Sequence, residues 1–115
     1  MSRINFVLET LLSKGEVSFK PHGNSMTPKI NSGVLVKVKV IPIESFRVGD
    51  AVYCKVKGSY YLHLLTAIDV PNQKYQISNN HGHVNGWVGS NCMYGVCVEA
   101  DGKVFLSESD LESRK

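Results

Sequence analysis

From Glu16 onward the chain is cut into short apolar runs by turn residues, and that punctuation limits the folds open to it. Val17 and Phe19 alternate with polar residues until Pro21 ends the run. Val34, Val36, Val38 and Val40 alternate with Leu35, Lys37, Lys39 and Ile41 before Pro42. Such period-two patterns describe strands with one apolar face and one wet face. Ala51–Val56 and Tyr60–Val70 follow as strands around a Gly58-Ser59 turn, and Pro71–Lys74 turns the chain into Tyr75–Ser78. A polar loop, Asn79–Asn85, precedes Trp87-Val88. Met93–Ala100 reads as a late core strand, Asp101-Gly102 as a turn, and Lys103–Leu106 as an edge strand. Seven or so short strands predict a mainly β fold, a small coiled antiparallel barrel-like domain.

Only the beginning departs from this pattern. Ile4, Leu8, Leu11 and Leu12 recur at helical spacing, so residues 1–15 predict an amphipathic helix over the sheet, with Ser2 as its cap and Gly15 as its end. Residues 16–106 form the β domain, and the charged segment 107–115 is expected to be a loose tail or one frayed helical turn. At 115 residues there is room for one core and no second domain. The longest apolar runs fall far short of the roughly 20 residues that span a bilayer. Asn5 and Glu9 interrupt the apolar residues of the N-terminus, so no secretory pattern is present. The expected location is the cytoplasm, without a membrane partner. Three cysteines, Cys54, Cys92 and Cys97, lack paired metal spacing and suit free thiols in a reducing compartment.

The chemistry is concentrated in Gly23-Asn24-Ser25-Met26-Thr27-Pro28. Gly23 permits a sharp turn, Pro28 restricts the backbone after it, and Met26 can plug into an apolar surface. The loop would then present the Ser25 hydroxyl. Taken locally, the same residues also describe an ordinary turn.

Gly-x-Ser-Met-x-Pro, followed by Ser32-Gly33-Val34-Leu35-Val36 and by Val48-Gly49-Asp50-Ala51-Val52, resembles the serine peptidases of the signal-peptidase and LexA-like superfamily. The resemblance covers about Phe19 to Glu99. It implies a coiled antiparallel β fold, Ser25 as nucleophile and Gly49-Asp50 opening a core strand. It also implies a base on a later strand. His63 stands where the histidine of the endoplasmic-reticulum and archaeal branch belongs, with Leu64-Leu65 in place of that branch's Arg-Val. The branch's Gly-Asp-Asn stretch and further aspartates correspond to Ser78-Asn79-Asn80-His81-Gly82-His83-Val84-Asn85, which puts asparagine at both acidic positions, Asn79 and Asn85. An asparagine can orient a histidine without neutralising its charge, so weak activity is expected. Asn24 and Ser32 are candidate helpers to backbone N–H groups at an oxyanion. The short N-terminal helix is too small for a repressor's DNA-binding domain, and no Ala-Gly or Cys-Gly dipeptide offers a self-cleavage site.

Two functional classes follow. One is limited proteolysis of a protein or peptide through Ser25 and His63, with no cofactor. The other is an inactive relative that binds an extended peptide or single-stranded nucleic acid. The second uses Lys37, Lys39, Lys55 and Lys57, with Tyr53, Tyr60, Tyr61, Tyr75 and Trp87 close in sequence, and the net charge of +3 permits it. His81, His83 and Cys92 offer two histidines and no convincing third ligand, so no metal is expected.

Overall fold

The computed structural model describes residues 5–114. Nine residues, Phe6–Lys14, form the first helix (α1). Ser2 and Ile4 lie outside the described residues. The cap is Asn5, whose side chain accepts from the Leu8 N–H, and Gly15 closes the helix at φ 81°. Leu11 is the helix's buried residue and inserts fully into the core. Burying such a side chain contributes about 1.5–3 kcal/mol.

Among the described residues, eight antiparallel strands form one sheet: β1 Glu16–Phe19, β2 Val36–Lys39, β3 Ala51–Val56, β4 Ser59–Asp69, β5 Lys74–Ser78, β6 Val84–Gly89, β7 Met93–Ala100 and β8 Lys103–Val104. Their order is β1-β2-β7-β3-β4-β5-β6, and β8 pairs with β7 beyond the point where β3 leaves it. The mainly β expectation therefore holds. The sheet curls without closing, because β1 and β6 are its free ends. The curl is tight: a Cβ on Gly86 of β6 would lie 3.5 Å from Val56 at the end of β3.

Turn chemistry explains the hairpins. Lys57-Gly58 and Asp101-Gly102 both have two successive positive φ values, the condition for the tight hairpin turns that match strand twist. The first turn sits one residue earlier than Gly58-Ser59. At Gly95 a side chain is excluded, since a Cβ would come within 2.8 Å of the Lys39 carbonyl and 2.7 Å of Val38. There β7 passes directly against β2 and α1.

Both faces of the sheet are covered. One core gathers Leu11, Val17, Met26, Ile30, Val36, Val38, Ala51, Tyr53 and Leu62. The other, inside the curl, gathers Phe46, Val52, Cys54, Leu65, Ile77, Val88 and Val96. β3 alternates between them, which is why Ala51–Val56 reads as nearly continuous apolar sequence. The segment expected to be loose, or at most a frayed turn, is tied down through Arg114. Glu108–Glu112 forms a short helix (α2) with a capping box between Ser107 and Asp110. Arg114 then clasps Asp50 with two hydrogen bonds of 2.8 and 2.9 Å. Among the described residues no helix is long and apolar enough to cross a membrane.

Candidate active site

Ser25 lies in the long connection between β1 and β2. Met26 and Ile30 are sunk into the first core, leaving 5% and 3% of their surface exposed. Apolar burial therefore holds the loop down on either side of a partly exposed hydroxyl. Gly23 takes φ 116°, a conformation that favours glycine, and its N–H donates to Ser32 Oγ at 3.0 Å. The Gly33 N–H donates to the Pro21 carbonyl at 2.7 Å and shuts the base of the loop. The Thr27–Pro28 peptide bond is cis.

A second loop fastens the first. The Asn80 backbone N–H donates to the Ser25 carbonyl at 2.8 Å, and its side-chain amide donates to the Met26 and Thr27 carbonyls at 3.4 and 3.1 Å. His81 Nε2 donates to the Asn24 carbonyl at 2.9 Å and lies 3.2 Å from Thr27 Oγ1. A carbonyl only accepts, so this nitrogen carries the proton.

His63 is held by β4, where it stands opposite Val52 of β3. Its ring packs on Tyr61, with centroids 4.5 Å apart, and only 5% of the residue is exposed. Nε2 lies 3.0 Å from Ser25 Oγ, although 38 positions separate the two residues. Nδ1 lies 2.7 Å from Asn85 Oδ1. The amide oxygen can only accept, so Nδ1 is protonated and Nε2 presents its lone pair to the hydroxyl. Burial holds the imidazole below its ordinary pKa, the Asn85 hydrogen bond opposes this, and nearby His83 adds to the lowering. The ring is neutral at pH 7, as a general base must be.

Asn85 reaches His63 because β6 is bulged. Ile77 pairs with Gly86 and Ser78 with Val84, which leaves Asn85 as the extra residue. A bulge of this kind re-aims one side chain. Asn85 therefore belongs to a strand, not to the loop expected over Asn79–Asn85.

The remaining candidates divide. Asn79 does not touch His63; its side chain accepts from the His81 and His83 N–H groups at 2.8 and 2.9 Å and shapes the loop. Asn24 is exposed and contributes its carbonyl to the loop clamp. Ser32 braces Gly23 from outside the reacting pair. Neither the Ser25 nor the Met26 backbone N–H has an acceptor among the described residues. The sequence offers His81 only as a metal ligand and Asn80 in no role, so their clamp on the Ser25 loop is new.

The four lysines do not form one surface. Lys39 is in register with Val96 and Val52, whereas Lys55 shares the opposite face with Ala51 and Tyr53. Lys37 and Lys39 approach Glu16 at 3.8 and 4.0 Å, and Lys39 also pairs with Glu108. The Lys55 ammonium sits 5.3 Å from the centre of the Tyr60 ring, and Lys57 belongs to the hairpin turn. Of the aromatics grouped with them, Tyr75 is buried in the inner core while Trp87 is half exposed. No group of three metal-ligating side chains occurs among the described residues. Cys54 and Cys97 are buried free thiols, pushed up by burial to about 12 and about 11 respectively, and Cys92 is partly exposed and free.

Ser25 and His63 open onto a cleft of about 250 Å³. A larger cleft of about 440 Å³, lined by Phe46, Ile68 and Tyr75 among others, has no hydroxyl–imidazole pair. Compared with known proteins, the chain matches no family model, no curated protein and no solved structure.

Proposed function

We propose that this chain is a serine hydrolase of the signal-peptidase and LexA-like type, which cleaves a peptide or protein through Ser25, His63 and Asn85. The observation that carries this reading is the continuous hydrogen-bonded relay, 3.0 Å from Ser25 Oγ to His63 Nε2 and 2.7 Å from Nδ1 to Asn85, at the wall of an open cleft. A hydroxyl is a poor nucleophile until a base takes its proton in the act of attack. Here Ser25 Oγ bonds to the substrate carbonyl carbon while its proton passes to His63 Nε2. The carbonyl oxygen becomes an oxyanion facing the Ser25 and Met26 N–H groups. When the carbon–nitrogen bond breaks, the same proton goes to the departing amine. Water then repeats the sequence on the acyl-enzyme, releasing the acid and restoring Ser25.

Asn85 sets the tautomer but brings no negative charge to the imidazolium, so turnover is slow compared with an aspartate-backed triad. Binding of single-stranded nucleic acid has less support, because the basic side chains are divided between two faces and partly neutralised.

The test is labelling by a small fluorophosphonate, read by mass spectrometry, together with hydrolysis of activated esters. Wild-type protein acquires the adduct on Ser25. Ser25→Ala removes the adduct and lowers ester turnover by about a thousandfold or more. A folded wild-type protein that takes no label at Ser25 would overturn the hydrolase reading.

A further inference from the structure

The cleft beside the relay has a chemical character of its own. Beside Ser25 and His63, its lining combines the large apolar side chains of Phe19, Met26, Ile30, Tyr53, Tyr60 and Leu62 with the polar side chains of His22 and Asn31, and neither a carboxylate nor a lysine or arginine lines it. The aromatic part is organised: Phe19 meets Tyr53 edge-on at 5.7 Å, and Tyr53 stacks on Tyr60 at 6.0 Å with the rings 14° from parallel. Asn5 donates to the Tyr53 hydroxyl at 3.0 Å and holds that ring in place. An enclosed apolar cavity of roughly 150 Å³ is enough to hold benzene. The present cleft, at about 250 Å³, has space for a side chain of leucine to phenylalanine size.

We infer that the residue whose carbonyl is attacked carries a large apolar or aromatic side chain, seated among Tyr53, Tyr60 and Leu62. This inference rests on the hydrolase reading and narrows its substrate class. A small side chain would leave the aromatic surfaces wet and forgo the gain from burial. A lysine or arginine side chain would lose water and find no carboxylate to pair with. An aromatic side chain can add edge or stacking contacts to the tyrosine pair.

The experiment compares kcat/KM for p-nitrophenyl esters of N-acetyl-alanine, -leucine, -phenylalanine and -lysine, with Ser25→Ala as background. The leucine and phenylalanine esters are expected to exceed the alanine ester by about 10- to 200-fold, the range that pocket filling supplies. The lysine ester should fall below both. Tyr60→Ala, checked for folding by its thermal transition, is expected to reduce the phenylalanine-to-alanine ratio by about 2- to 10-fold. Equal rates for the four esters, or a preference for alanine or lysine, would overturn the inference while fluorophosphonate labelling of Ser25 still upheld the hydrolase. Failure of both labelling and ester turnover would remove the hydrolase, and this inference with it.

Discussion

Two buried polar clusters hold the molecule's loops to its sheet, and they are built on opposite electrostatic plans. In one, Ser25, His63 and Asn85 are joined by hydrogen bonds of 3.0 and 2.7 Å without a formal charge. In the other, the Arg114 guanidinium grips both oxygens of Asp50 and also donates to the Ser45 carbonyl at 3.1 Å. The Asp50 and Arg114 side chains are 6% and 10% exposed, so this ion pair is nearly as dry as His63. A charged cluster fully satisfied by bidentate contacts fixes every proton. A neutral cluster leaves one proton free to move along its hydrogen bonds. The first arrangement suits a clasp and the second suits a reaction.

The largest stability effect expected from this contrast is at the clasp. Arg114→Leu leaves the Asp50 carboxylate buried without its partner, a loss of about 3–5 kcal/mol. Asp50 also accepts from the Arg47 N–H at 2.8 Å, and its carbonyl accepts from the Leu65 N–H at 2.9 Å, so the turn that starts β3 would loosen too. Urea unfolding measures the loss. Adding Asp50→Leu should recover a good part of it, because both charges are then gone. A cost below about 1 kcal/mol for Arg114→Leu would mean that the pair behaves like a surface contact, and the contrast would fail.

A smaller effect, read in rate and not in stability, comes from giving the neutral cluster a charge. Asn85→Asp keeps the acceptor beside His63 Nδ1 and adds a negative charge. The imidazolium is then stabilised, so the acid limb of the pH–rate profile moves upward by about one unit or more. The plateau above that limb rises as well, because the charged intermediate is better supported. An unchanged profile would show that Asn85 does not address the histidine in solution.

The strands were readable from the sequence because each depends on local alternation and local turn chemistry. Ala51–Val56 and Met93–Ala100 have the bounds that their apolar runs suggest. Ser25 was legible for similar reasons: Gly23, Met26 and Pro28 all act within a few residues of it. Asn85 was placed in a loop because a bulge is a mismatch between two strands, and neither strand alone records it. The clasp was missed altogether. Arg114 and Asp50 are 64 positions apart, and a terminal charged segment reads as solvated unless its distant partner is known. Asn80 and His81 were hidden in the same way, since the carbonyls they bind lie 53 to 57 residues earlier.

The smallest effect is the pH dependence that the buried imidazole imposes on stability. An unfolded histidine takes up its proton near pH 6.5. Folded His63 resists protonation because it is buried, so its pKa lies lower. Below pH 6.5 the unfolded chain therefore binds more protons than the folded one, and stability falls with pH until the folded imidazole is itself protonated. Above pH 6.5 this contribution is constant. Other groups titrate in the same interval, so the informative quantity is the difference in unfolding free energy between wild type and His63→Gln. That difference should be flat from pH 8 to about 6.5, then shift against the wild type as the pH drops. A difference that shifted in favour of the wild type in acid would show that the imidazole is stabilised as a cation, and the neutral relay through Ser25 would have to be abandoned.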